Sequence, residues 1–285
     1  MISYSDLVSE SLANPRLVLL KLGKITEQKI FSRLLNSSAQ KEINGIKFDF
    51  DFSLSPFVKD MYFGNYEVAT VEYLKKILKI GDVFIDVGAN IGYVSAVAAG
   101  CVGAATGEVH SFEPVPEYFR KLKQMADQNN EYKIRANQCG LGDKTGFLEL
   151  DVSKSVDYPN IGWNTMVPGL MSNHEPKQTI NVPVYTLDKY IEKKRLGEIS
   201  VIKIDVEGFE FPVLKGLHNF FETTDEKPVI ICEIAPAAYP LLGYTLSQMS
   251  DYMASWSYEA FSLIVPTKVV DITKLKETTN VVFHS

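Results

Sequence analysis

At 285 residues, 46% hydrophobic and 22% charged, the chain holds enough apolar material for one large domain, or a domain with an N-terminal extension. A net charge of −6 and the lack of any basic run argue against a nucleic-acid-binding surface. No apolar run approaches the ~18 residues of a membrane-spanning helix, Leu17 to Leu20 is too short and badly flanked for a secretory signal, and Cys101, Cys139 and Cys232 lack metal-ligand spacing, so a cytoplasmic protein with buried reduced thiols is expected.

In chain order, residues 1–40 read as helical, with leucines and isoleucines spread among polar residues and Pro15 as a break. Ile46, Phe48, Phe50, Phe52 and Leu54 alternate with polar residues, the period of a half-buried strand. Gly64-Asn65 marks a turn. Val68, Val71, Leu74, Ile77 and Leu78 then form a helical stripe stopped at Gly81. Residues 1–65 are expected to cap a main domain at 66–285. That domain opens with strand 83–87, helix 93–101, strand 108–112 and helix 116–128, the last with Pro116 in its first turn and Phe119, Leu122 and Met125 facing the core. Tyr132 to Cys139 reads as a strand and Thr145 to Val152 as its hairpin partner. Residues 153–180 are polar and punctuated by proline and glycine, so they read as one long loop, a length that is often functional. Beyond it come strand 180–185, helix 187–194, strand 201–205, a helix carrying Val213, Leu214 and Leu217, strand 229–233, helix 247–256, and closing strands at 258–265 and 280–284. Strands alternating with helices imply an α/β, doubly wound and mostly parallel sheet.

The chemistry concentrates at Val83-Phe84-Ile85-Asp86-Val87-Gly88-Ala89-Asn90-Ile91-Gly92, an apolar strand running through a carboxylate into a glycine-spaced turn and a helix. That order is the first half of a nucleotide-binding βαβ unit. The spacing is G-x-N-x-G rather than G-x-G-x-x-G, and Asp86 would repel a pyrophosphate by like charge. It would attract an ammonium or sulfonium. Glu113 ends the next strand, near the ~20-residue offset at which a carboxylate meets ribose hydroxyls. A ribose, positive charge and no phosphate together describe S-adenosylmethionine. Asp205 and Glu233 end two later strands, so four carboxylates from distant parts of the chain are expected at the edge where such sheets bind ligands.

These stretches, together with Phe112-Glu113-Pro114, Leu141-Gly142-Asp143, Thr186-Leu187-Asp188 and Ile202-Lys203-Ile204-Asp205-Val206-Glu207-Gly208, resemble the FkbM-type S-adenosylmethionine-dependent methyltransferases over about residues 60–265. Gly64-Asn65-Tyr66-Glu67 also fits the family's run into the first strand. The resemblance implies a class I (Rossmann-like) methyltransferase fold, seven-stranded with one antiparallel strand near the edge. It also implies O-methylation of a sugar, glycolipid or other small-molecule hydroxyl. By position it assigns Glu67, Asp86, Gly88, Ala89, Asn90 and Gly92 to the cofactor site, with Asp86, Gly88, Asn90 and Gly92 around the methionyl part. Glu113, with Pro114, would take the ribose, and Gly140, Leu141 and Gly142 would lie along the adenine. Asp205 completes that set.

Asp205 and Glu207 flank the turn nearest the transferred methyl, so either could accept the acceptor's proton; anchoring an Asp-x-Glu-Gly turn is the plain alternative. His174, in the long loop, is a further base candidate, beside Tyr158, Trp163 and Met166 as a wall for a sugar ring. A divalent metal on Asp205, Glu207 and Glu233 is disfavoured, because Glu233-Ile234 lacks the acidic–amide pair of metal-dependent catechol-type enzymes, and no metal is expected. The partner expected is a small-molecule or glycan acceptor, with no nucleic acid. An NAD-dependent oxidoreductase fits Asp86 and the glycine spacing poorly, and a non-catalytic binding protein on the same fold is the remaining alternative.

Overall fold

The computed structural model describes residues 38–154, 164–171, 177–224 and 226–285. Most of the helical reading of residues 1–40 therefore falls outside the described residues; Ser38–Gln40 are strand, not helix. They open β1 (Ser38–Ile43), which pairs with β2 (Ile46–Asp51). Asn44 and Gly45 both carry positive φ, 51° and 85°, the backbone of a two-residue hairpin turn that these residue types favour.

The described residues divide into two compact units. In the smaller, Ser38–Gln40 join Phe50–Tyr66, which includes α1 (Phe57–Phe63), and the rings of Phe50 and Phe52 both meet Tyr62 edge-on. The larger unit takes Lys41–Asp49 and everything from Glu67 onward. There the hairpin turn is tied down by Asn44 Nδ2, which donates to the Val97 carbonyl at 3.0 Å, and by the Asn129 side chain, which exchanges two hydrogen bonds with the Lys47 backbone.

The larger unit is built on a seven-stranded sheet. Its members are β3 (Val83–Val87), β4 (Glu108–Phe112), β5 (Lys133–Asn137), β10 (Val201–Ile204), β11 (Val229–Ile234), β12 (Glu259–Ser262) and β13 (Thr279–His284). Their order is β12-β13-β11-β10-β3-β4-β5. Only β13 runs antiparallel to its neighbours, as expected. Helix α2 (Val68–Ile77) leads into β3, α3 (Tyr93–Val102) joins β3 to β4, and α4 (Pro116–Gln128) joins β4 to β5. In α4 it is Tyr118, not Phe119, that is buried with Leu122, Met125 and Ala126, because a period of 3.6 admits either neighbour and tertiary packing selects one.

A second sheet, ordered β6-β9-β7-β8, replaces part of the expected loop and hairpin. It comprises β6 (Gly140–Leu141), β7 (Gly146–Ser153), β8 (Asn164–Thr165) and β9 (Lys177–Tyr185). β7 pairs antiparallel with β9 from Gly146↔Val184 to Ser153↔Lys177, not with β5. Residues 177–180 are therefore strand rather than loop. Asp151 fixes the pairing by binding Lys177 Nζ at 2.6 Å and Thr179 Oγ1 at 2.5 Å across the ladder, a polar cross-strand contact invisible to hydrophobic periodicity. Helices α5 (Leu187–Lys194), α6 (Glu210–Lys215), α7 (His218–Thr223) and α8 (Leu246–Ser255) complete the fold.

From β3 the chain proceeds outward through β4 and β5, then returns to place β10 on the other side of β3. That reversal makes a topological switch point at the carboxyl ends of β3 and β10, where α/β sheets open a ligand crevice. The two strands are joined past their ends by Asp205 N–H donating to the Val87 carbonyl at 3.0 Å. Gly88 follows at φ +82°, and a Cβ there would lie 1.7 Å from the Asp205 carbonyl oxygen. Gly88→Ala is therefore expected to cost at least about 3 kcal/mol, from strained φ and backbone overlap together. Gly197→Ala, with nothing within 4 Å, should stay within about 1 kcal/mol of the parent in urea unfolding.

Candidate active site

The turn after β3 is held from the neighbouring strand. The Gly88 and Ala89 N–H groups both donate to the Phe112 carbonyl at 3.0 Å. Asn90 sits at φ 52°, a conformation its short amide tolerates, and its Oδ1 accepts the Ile91 N–H at 2.8 Å. Gly92, at φ +92°, starts α3 and abuts Leu122 and Met125 of α4.

Glu113 closes the same turn. It is 5% exposed; Oε2 accepts the Asn90 N–H at 2.9 Å and Oε1 the Val115 N–H at 2.8 Å. Burial pushes its carboxyl up to about 7, against the pull of those two donors. Each oxygen keeps a second lone pair, so the group can bind a hydroxyl while it fixes the loop. Pro114 is half-buried beside it.

Asp86 lies inside β3 and is fully buried. Its Oδ2 accepts a hydrogen bond from Ser95 Oγ at 2.5 Å, while Oδ1 has no hydrogen-bond partner among the described residues. Across the parallel ladder its register partner is Lys203, whose side chain is 3% exposed. Lys203 Nζ lies 2.8 Å from Asp205 Oδ2 and 3.6 Å from Glu67 Oε1. Glu67 caps the start of α2 at φ 44°, and its Oε2 is a second buried oxygen with no hydrogen-bond partner among the described residues. Burial raises the carboxyls of both Glu67 and Asp86, and Lys203 is the strongest influence pulling each back.

The turn after β10 carries a second acidic group. Oxygens of Asp205, Glu207 and Glu233 lie within 4.8 Å of one another, the described set that converges closely enough to share one proton or one hard cation. Asp205 repels Glu233 most strongly, and with burial this holds the Glu233 carboxyl far above its usual range. Glu207 has φ 51°, and its carbonyl accepts Thr165 Oγ1 at 2.7 Å, so β8 pins the turn. Glu210, fully buried, takes the Gly208 N–H on Oε1 at 2.6 Å and leaves Oε2 unpartnered. Burial raises it to about 8.

The described residues thus bring Glu67, Asp86, Glu113 and Asp205 together around the glycine turn, with Glu207 and Glu233 beside them. Gly140 and Leu141 form a strand of the second sheet: a Cβ on Gly140 would meet Met166 Cε at 2.2 Å, and one on Gly142 would meet Phe209 and Val184 at 3.2 Å. His174, Tyr158 and Trp163 lie outside the described residues. Sequence reasoning placed Glu233 at this edge with Asp205 and Glu207, as the structure has it, but missed Lys203 and Glu210. Lys203 left one signal, a lone charge in the middle of an otherwise apolar run.

A model of the Methyltransferase FkbM domain matches residues 86–260 of the chain. The chain is similar to the hexuronic acid methyltransferase AglP of Haloferax volcanii, 27% identical over 161 residues, covering 56% of this chain and 58% of that protein. It is also similar to the 31-O-demethyl-FK506 methyltransferase FkbM of Streptomyces tacrolimicus, 29% identical over 168 residues, covering 50% and 62%. It therefore spans less than two thirds of the length of these relatives. A solved methyltransferase FkbM from Methylobacillus flagellatus aligns at TM-score 0.43 and 18% identity, covering 80% of this chain and 54% of that one.

The buried acids make stability depend on pH. A carboxyl whose folded value lies above its unfolded one stabilises the fold fully only below the unfolded value, and that contribution is lost as pH rises through the folded value. Between its ordinary 4.5 and about 8, Glu210 should therefore weaken the fold progressively. Glu210→Gln keeps an acceptor for the Gly208 N–H and removes the charge. The variant is expected to match the parent at pH 5 and to exceed it at pH 8.5 in urea midpoint; a parallel decline in both would remove Glu210 as the cause.

Proposed function

This chain belongs to the FkbM methyltransferase family, and on that premise we propose that it transfers a methyl group from S-adenosylmethionine to a hydroxyl of a sugar, glycolipid or other small molecule. The observation that carries the reading is the acidic ring around the glycine turn. Glu67, Asp86, Glu113 and Asp205 would repel a pyrophosphate and suit a ligand with positive charge and a vicinal diol. Two of their buried oxygens, Asp86 Oδ1 and Glu67 Oε2, have no hydrogen-bond partner among the described residues, so the set has acceptors to spare for such a ligand. Glu113 would take the ribose hydroxyls with its remaining lone pairs.

When bound, S-adenosylmethionine supplies a methyl already activated on a sulfonium. The chain's tasks are then alignment and proton removal. The acceptor oxygen bonds to the methyl carbon, the carbon–sulfur bond breaks, and the hydroxyl proton must leave to a base. Glu207 and Asp205 are the candidates, with His174 third. Lys203 Nζ contacts Asp205 at 2.8 Å, and Glu207 lies beside it on the same turn, so either acid could take the proton. Glu233, whose carboxyl Asp205 and burial hold far above its usual range, is suited to donate a hydrogen bond to the acceptor instead. The names of the relatives point to a hexuronic acid and to 31-O-demethyl-FK506 as acceptors to try first.

Transfer of labelled methyl to those acceptors tests the reading, and cofactor binding without turnover on any of them would favour the binding-protein alternative. With a working acceptor, Glu207→Gln is expected to lower kcat by ~10²-fold or more with cofactor affinity little changed. A rise in acceptor KM with kcat retained would make Glu207 a binding group and not the base. Separately, Glu113→Ala should weaken S-adenosylmethionine binding by about 1.5–3 kcal/mol in calorimetry. Unchanged affinity would leave Glu113 only its role in holding the loop.

A further inference from the structure

Lys203 is not explained by packing. It lies mid-strand in β10, between Ile202 and Ile204, both fully buried, where an apolar residue would serve the sheet. Burying an ammonium is costly unless it is paired. The groups facing it come from every adjoining element: Glu67 from α2, Asp86 from β3, Asp205 from the β10 tip, and Cys232 and Glu233 from β11. One cation thus stands among four carboxyls, two of which retain unpartnered buried oxygens.

We infer that Lys203 is a positioning residue: its buried ammonium gathers Asp205 and Glu67 beside the glycine turn and keeps the acidic ring charged for a cationic cofactor. The inference rests on the proposed cofactor. The ammonium accepts no proton from substrate and need not touch the methyl. It acts by opposing the burial and mutual repulsion that would otherwise protonate Glu67 and Asp86. Protonated, those groups would lose their attraction for a sulfonium or ammonium, and the site would lose its preference for charge. Geometry contributes as well. The 2.8 Å contact fixes the Asp205 side chain over a turn whose backbone is already locked against Gly88.

The test compares the parent with Lys203→Met, Lys203→Arg and the double variant Lys203→Met/Glu67→Gln, measuring S-adenosylmethionine affinity by calorimetry from pH 6 to 9. Lys203→Met should bind about tenfold or more weakly at pH 7, a shift of about one unit or more in the groups' titration, and should recover toward pH 9 as the acids ionise unaided. Lys203→Arg, which keeps the charge, should retain the parent's pH profile. The same factor lost at every pH, or no loss, would overturn the inference, because a packing role does not move a pH profile.

Urea midpoints of the cofactor-free chains give a second reading. Carboxyls raised further in Lys203→Met lose their stabilising contribution as pH rises, so its midpoint should fall more steeply than the parent's between pH 6 and 9. The double variant, with Glu67 neutral, should recover much of the parent's slope, and it remains informative if Lys203→Met alone does not fold. If the parent itself fails to bind S-adenosylmethionine, the cofactor reading falls. The slope comparison then still decides whether Lys203 controls the charge of the ring, and parallel slopes would refute it.

Discussion

Two turns that follow adjacent parallel strands touch through their backbones, and the site depends on that contact. The Asp205 N–H reaches the Val87 carbonyl at 3.0 Å, and the Asp205 carbonyl occupies the space where any side chain at position 88 would begin. Gly88 is therefore required by the protein's own packing before any ligand is considered. Because the turns are this close, the acids they carry are close too. Asp86 and Glu113 on one side face Asp205, Glu207 and Glu233 on the other, and their mutual repulsion is part of what raises several of them.

Such a concentration of buried acid is unfavourable in isolation. The structure meets it in three ways. Backbone N–H groups serve Glu113 twice and Glu210 once. Lys203 supplies one buried positive charge. The remainder shows as carboxyls raised above their usual range, most clearly Glu233, by Asp205 and burial, and Glu210, by burial. Each device leaves acceptor capacity unused near the glycine turn, and that unused capacity is what a charged, hydroxyl-bearing cofactor would complete.

Much of the central sheet was legible because its strands are buried on both faces and read as short apolar runs between helical stripes. The boundaries of α4 and β4 follow directly from Pro116 and from Glu113. The second sheet was not legible as a sheet. Its strands alternate polar and apolar residues, and the partner of β7 is chosen by Asp151 meeting Lys177 and Thr179, residues 26 and 28 positions away. At the site, residue types at strand ends pointed correctly to where acids gather. What each glycine contacts was hidden: Gly140 abuts Met166, and nothing local to Gly140 encodes that neighbour. Lys203 was visible only as an oddity, since its meaning depends on three carboxylates that the chain supplies from positions 67, 86 and 205.

An acidic ring of this kind should select a cationic cofactor without phosphate. Calorimetric titration of the purified chain at pH 7.5 with S-adenosylmethionine, and in parallel with NAD, tests it most directly. The account predicts saturable binding of S-adenosylmethionine at one site and no measurable heat from NAD. Binding of NAD as tight as that of S-adenosylmethionine, or binding of neither, would contradict it.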